Sequence, residues 1–151
     1  MLQTLVAVIA FFLPITMCGL TAKRCPISAG TGNKVWWRPP AALFGIIWTV
    51  LFLLIGAAWA RAMSSQSVNV VLGYVLLSML LVFWIITYSP SCTVNVPNKH
   101  ATALWILIAA LTVAAMLCVV GHDALQRVLL VPLVVWLLIA TLLSTAEPIQ
   151  P

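Results

Sequence analysis

Charged side chains are scarce in this sequence. Only 6% of its 151 residues are Asp, Glu, Lys or Arg, and the acids are just two, Asp123 and Glu147. Two histidines accompany them. Hydrolytic or redox catalysis usually needs paired carboxylates, a nucleophile with its base, or a cluster of metal ligands. We therefore expect no enzyme active site, no metal site and no required cofactor.

The basic residues are distributed along the chain and do not form a cluster. The formal net charge is +5, and the basic residues stand singly or in pairs between apolar stretches, at Lys23, Arg24, Lys34, Arg38, Arg61, Lys99 and Arg127. A nucleic-acid-binding domain concentrates its basic residues in one patch or stripe. Residues placed like these instead set the topology of a membrane protein at the headgroup level. We expect no nucleic-acid partner.

Cysteine is also sparse and has no motif spacing. Cys18, Cys25, Cys92 and Cys118 form no CxxC pair, and two of them lie within apolar stretches. Without a spacing typical of metal or redox sites, packing is the expected role of all four.

Apolar residues dominate instead. They make up 64% of the chain, and the mean hydropathy is +1.20. A helix needs about 20 mainly apolar residues to cross a bilayer. Five stretches qualify, at about residues 2–21, 39–60, 68–88, 101–120 and 124–145. The sequence therefore predicts an all-α integral membrane protein, a bundle of five transmembrane helices forming one domain over residues 1–151, with the lipid bilayer as its partner.

The first stretch could also be a secretory signal peptide, but it lacks a charged segment before its long apolar run, so a retained helix is favoured. Five spans put the termini on opposite sides of the membrane. Loop one (residues 23–38), loop three (92–100) and the C-terminus share the side with most basic residues. The positive-inside bias predicts that this side, with the C-terminus, is cytosolic and that the N-terminus is not. It leaves open which membrane is spanned.

Tryptophan is the unusual component, with seven residues. Trp36, Trp37, Trp59 and Trp105 lie near span ends, as an interfacial aromatic belt requires. The other three, Trp48, Trp84 and Trp136, lie several residues inside their spans and, at 1.5 Å per residue, all in the cytosolic half of the bilayer. Large rings at similar depth on three helices predict a pocket for a flat apolar ligand. The alternative is that they only pack against one another or face lipid.

The three tryptophans lie on stripes with helical spacing. These stripes are Phe44, Trp48 and Phe52; Leu80, Trp84 and Tyr88; and Pro132, Trp136 and Ala140. Stripes of this kind more often serve packing than cofactor binding.

A longer pattern surrounds the first stripe. It reads Trp37-Arg38-Pro39-Pro40-x3-Phe44-x3-Trp48-x2-Leu51-Phe52. It resembles the signature of the translocator protein family, also called tryptophan-rich sensory proteins or peripheral-type benzodiazepine receptors. A second segment, Leu129-Leu130-x-Pro132-x3-Trp136-x3-Ala140-x2-Leu143, is similar to the fifth helix of that family.

The resemblance implies an often dimeric five-helix bundle whose pocket, near the cytosolic side, binds porphyrins such as heme, sterols or benzodiazepine-type molecules. Matching pocket positions are Trp48, Phe52, Trp84, Trp136 and Ala140, and the motif and stripes add Trp37, Pro40, Phe44 and Tyr88 as candidate ligand-binding residues. Leu81, Leu133 and Ser144 replace an Asn, a Tyr and an Asn of the family, so a more apolar pocket is expected. The Tyr and basic residue of the sterol-associated motif are absent after the fifth span.

Three functions compete. The favoured one is a membrane receptor or carrier for a flat hydrophobic molecule, without bond chemistry. The second is a porphyrin-degrading enzyme with pocket tryptophans as electron donors. The third is a ligand-free interaction or regulatory protein, in which small residues such as Gly45 and Gly56 promote helix association.

Overall fold

The computed structural model describes residues 1–26, 35–65, 67–92, 94–121 and 123–147. The middle of loop one and His122 lie outside these residues. Over the described residues the chain forms five long α-helices, each apolar enough to cross a membrane. These are α1 (Leu2–Arg24), α2 (Ala41–Ala62), α3 (Val68–Tyr88), α4 (Lys99–Val120) and α5 (Ala124–Ala146). The predicted all-α membrane fold is confirmed.

The helix ends follow local chemistry. Helix α2 begins after the Pro39-Pro40 pair rather than with it, because Pro40 has an extended backbone (φ −56°, ψ 147°) and acts as the N-cap. A proline disfavours helix in the residue before it, which keeps Pro39 out as well. The Asn98 side chain caps α4 by accepting from Ala101 N, and the Asp123 carboxylate caps α5 by accepting from Gln126 N at 2.7 Å.

The helices close into a ring. Helix α1 packs mainly against α2 and α3, α4 packs against α3 and α5, and α2 packs against α5. The two helices α1 and α2 approach closely at Gly56, where an added Cβ would overlap the carbonyl oxygen of Phe11 and lie 2.9 Å from its carbonyl carbon. Only a residue without a side chain permits this approach.

A polar contact lies inside the bundle. The buried Gln126 amide donates to the hydroxyl of Tyr74 at 2.8 Å. Trp59 stacks on the Tyr74 ring, with centroids 6.0 Å apart, and is only 4% exposed. The prediction that Trp59 belongs to an interfacial belt is therefore wrong, because the flat face of Tyr74 on α3 offers it a packing partner. Trp36 and Trp105 are exposed, as a belt requires.

The cysteines correct a second expectation. Cys25, directly after α1, forms a disulfide with Cys92 in the α3–α4 connection, with Cα atoms 5.4 Å apart. Packing alone was predicted for both, because residues 67 positions apart share no local spacing. The fold brings them together by placing the end of α1 beside the end of α3. Cys18 and Cys118 are free thiols.

Candidate ligand-binding site

Three tryptophans from different helices meet inside the bundle. Trp48 of α2 lies 5.2 Å from Trp84 of α3 between ring centroids. It lies 6.3 Å from Trp136 of α5, in an edge-to-face arrangement. All three are at most 7% exposed. The similar depths counted along the sequence thus correspond to direct contact between the rings.

Other rings extend this group. Phe52 stacks on Trp48 at 5.5 Å, Tyr88 stacks on Trp84 at 5.1 Å, and Phe44 meets Trp136 edge to face at 5.3 Å. We call these six residues, Phe44, Trp48, Phe52, Trp84, Tyr88 and Trp136, the aromatic cluster. Every member was predicted as a ligand-binding residue.

The cluster also carries polar groups. The indole Nε1 atoms of Trp48, Trp84 and Trp136 are buried and have no hydrogen-bond partner within the described residues. A buried unsatisfied donor costs about 1–3 kcal/mol. The interior of the bundle therefore holds three hydrogen-bond donors that the described residues leave without an acceptor.

A cavity of about 440 Å³ borders one side of the cluster. It lies between α1 and α2, with Ile85 of α3 reaching it. The α2 side carries the aromatic residues, and the α1 side is made of small and aliphatic residues together with Lys23. The lining consists of Ile15, Gly19, Ala22, Lys23, Pro26, Ala41, Phe44, Gly45, Trp48, Thr49, Phe52 and Ile85.

The predicted residues divide between this cavity and the layer behind it. Phe44, Trp48 and Phe52 line the cavity. The other members of the cluster support these rings from the α3 and α5 side, and Ala140 is buried one turn beyond Trp136. Trp37 is 40% exposed and Pro40 caps α2, and neither lines the cavity.

The α1 wall is the part that we did not predict. An added Cβ on Gly19 or on Gly45 would meet no atom within 4 Å, so each glycine leaves free space inside the cavity. The spacing of Gly19 and Ala22, which puts two small residues on one face of α1, was a usable signal. The spacing does not show which helix faces these two residues, so the sequence alone does not assign them to the site.

The mouth of the cavity is fixed by several bonds. Pro26 lines it, and the Pro26 carbonyl accepts a hydrogen bond from Ser89 Oγ at 2.9 Å. Lys99 Nζ donates to the Ser89 carbonyl at 2.8 Å and to the Cys92 carbonyl at 3.4 Å. With the Cys25–Cys92 disulfide, these bonds fasten the α1 wall to the α3–α4 connection.

A buried ion pair lies on the α5 side of the same end. Arg38 Nη1 donates to Glu147 Oε2, and the two side chains are 8% and 4% exposed. Glu147 Oε1 also accepts from the Val35 amide at 2.6 Å, and the Arg38 guanidinium lies 5.6 Å from the centre of the Phe44 ring. These contacts hold the chain entering α2 against the end of α5, above the aromatic cluster.

A second cavity, of about 480 Å³, lies at the opposite end of the bundle. Its walls are the first turns of α1 and α3 and the short 3₁₀ turn Met63–Ser65. Its lining, as far as the structure describes the chain, includes no aromatic side chain and none of the predicted ligand-binding residues. The cavity beside the aromatic cluster is therefore the better candidate for binding a flat molecule.

The chain matches the sequence model of the TspO/MBR family over residues 4–147, which is nearly its whole length. No curated protein matches it.

Proposed function

This chain belongs to the TspO/MBR family, and from that premise we propose that it binds a flat hydrophobic molecule of the porphyrin or heme type in the cavity beside the aromatic cluster. Family membership and the apolar helices support a multi-pass membrane protein with a ligand-binding or transport role. The proposal adds the site and the ligand class. A sterol or a benzodiazepine-type molecule would use the same cavity.

The observation that carries the proposal is the position of Trp48. It lines the cavity next to Phe52, and it contacts Trp84 and Trp136 in the layer behind. Its ring is therefore held in place at the surface of the cavity, where a ligand would contact it. A cavity of about 440 Å³ also falls in the usual range of small-molecule sites, about 300–1,000 Å³.

Aromatic contacts and hydrogen bonding both favour a planar ligand. A ring system that packs on Phe44, Trp48 and Phe52 removes apolar surface from contact with lipid and water, and each aromatic pair adds about 0.5–1.5 kcal/mol beyond the buried area. A carbonyl or carboxyl oxygen on such a ligand would accept a hydrogen bond from the unsatisfied indole N–H of Trp48, which lines the cavity. A flexible alkyl chain would gain neither the aromatic contacts nor the hydrogen bond.

The test is a titration of the detergent-purified protein with protoporphyrin IX, followed by the absorbance of the porphyrin. We expect the variant Trp48→Ala to bind at least about tenfold more weakly, a loss of 1.4 kcal/mol. The matched control is Trp105→Ala, because Trp105 is an exposed tryptophan of α4 outside the cluster. Equal affinities for the two variants would refute the proposed site.

The same samples also test the enzymatic alternative. If the tryptophans donate electrons to a bound porphyrin, illumination in the presence of oxygen converts the porphyrin to products that chromatography detects. We expect intact porphyrin to be recovered, as for a receptor or carrier. Protein-dependent loss that disappears in Trp48→Ala would establish the enzyme instead.

Self-association is a separate part of the proposal. Helix α3 presents Leu72, Leu76, Met79 and Phe83 at its exposed surface, and a second copy of the chain could cover them in a homodimer. Crosslinking in native membranes at cysteine introduced at Met79 tests this. A crosslinked product that persists when the protein is diluted in lipid supports the dimer, and its loss on dilution contradicts it.

A further inference from the structure

Among the described residues, one charged side chain lines the candidate cavity. Lys23 belongs to the last turn of α1, next to Ala22 and one turn beyond Gly19, both of which also line the cavity. The remaining lining residues are uncharged. The cavity therefore has an aromatic side on α2 and a positive charge at the end where α1 leaves the bundle.

The acids of the chain are engaged elsewhere. Glu147 pairs with Arg38, and Asp123 pairs with Arg61 at 2.6 Å at the opposite end of the bundle. The sequence has only these two acids, and Lys23 makes no ion pair within the described residues. Its ammonium group is thus available to an anion that enters with a ligand.

We propose that Lys23 binds a carboxylate at the edge of the flat ligand, so that the site selects an amphiphilic anion over a neutral molecule of the same shape. This inference rests on the proposed function and names the chemistry of its ligand. The apolar part lies against Phe44, Trp48 and Phe52, while the carboxylate stays at the mouth near water. This arrangement leaves no charge in the apolar interior, where an unpaired carboxylate would be costly.

The competing explanation is that Lys23 only anchors the helix end among lipid headgroups. Arg24 provides the comparison, because it has the same charge, follows directly in α1, is exposed and does not line the cavity. If both residues only anchor the helix end, substituting either one should have the same effect on ligand affinity. If Lys23 binds the ligand, only its substitution should change that affinity.

The experiment compares protoporphyrin IX with its dimethyl ester, which keeps the ring and removes both charges. Affinities are measured for the unmodified protein, Lys23→Gln and Arg24→Gln, with empty micelles as the correction for partitioning. Because Lys23 is exposed, the charge contributes at most about 1 kcal/mol, so we expect the acid to bind about fivefold more tightly than the ester. Lys23→Gln should bring this ratio close to one without weakening the ester, and Arg24→Gln should preserve it.

A reversed charge gives the sharper result. In Lys23→Glu the ester should bind more tightly than the acid, and a generally damaged protein would lose both ligands alike. An acid-to-ester ratio near one in the unmodified protein overturns the proposal, as does a ratio that Lys23→Gln leaves unchanged or that Arg24→Gln reduces equally. If the unmodified protein binds neither compound, it is the proposed function that fails.

Discussion

The variant Gly56→Ala tests how closely α1 and α2 approach. The added Cβ would overlap the carbonyl oxygen of Phe11 and lie 2.9 Å and 3.2 Å from the carbonyl carbon and the Cα of that residue. All three atoms belong to the backbone, so no side-chain rotation relieves the clash. Helix α1 must move away as a whole.

The cost can be estimated from two opposing effects. Forcing an extra methyl group into a packed contact costs about 1–3 kcal/mol. Replacing glycine by alanine in a helix returns up to about 1 kcal/mol. We expect Gly56→Ala to lower the free energy of unfolding by about 1–2 kcal/mol. Because α1 also forms one wall of the candidate cavity, porphyrin affinity should fall as well.

The assay is unfolding in mixed micelles with increasing SDS, followed by helical circular dichroism. Gly45→Ala is the matched control, because Gly45 lies on the same helix and an added Cβ there meets nothing within 4 Å. We expect Gly45→Ala to be as stable as the unmodified protein or slightly more stable. If Gly56→Ala behaves like Gly45→Ala, the close α1–α2 contact does not exist and the reasoning fails.

Three further predictions concern single sites. Cys25→Ala should reduce stability by about 2–4 kcal/mol, because the disulfide no longer restricts the unfolded chain. Cys18→Ala keeps the disulfide, so its stability should respond to a reducing agent as that of the unmodified protein does. Melting curves with and without the reducing agent check both variants. Gly19→Leu should lower porphyrin affinity at least about tenfold by filling the cavity, while the melting temperature stays unchanged. Tyr74→Phe removes the acceptor of the Gln126 amide, and unfolding in SDS should register a loss of about 0.6–1.7 kcal/mol.

Much of the architecture could be predicted because a single physical requirement, the crossing of a bilayer, determines it. Apolar stretches of about 20 residues predict the spans, and proline and capping residues end the helices close to where we expected. The aromatic cluster could also be anticipated, since depth along a helix follows directly from residue number. Trp48, Trp84 and Trp136 meet because each lies at similar depth on a helix that faces the same interior.

The features that the sequence did not predict depend on the orientation of each helix about its axis and on which helices are neighbours. Sequence spacing does not reveal that α1 packs beside α2, so Gly19 and Lys23 were missing from the predicted site. For the same reason Trp59 was assigned to the interface, although α3 places Tyr74 against it. Contacts between distant segments, such as Arg38 with Glu147, have no local signature at all.

The Cys25–Cys92 bridge has a consequence for which side of the membrane the cavity faces. Cytosolic thiols are kept reduced, and disulfides persist in oxidising compartments. The bridge lies on the same face as loops one and three, whose basic residues predict a cytosolic location. A lasting bridge would put this face outside the cytosol and the N-terminus inside, so that ligand enters from the exterior. Alkylation of intact cells with a membrane-impermeant maleimide, before and after reduction, distinguishes the two orientations.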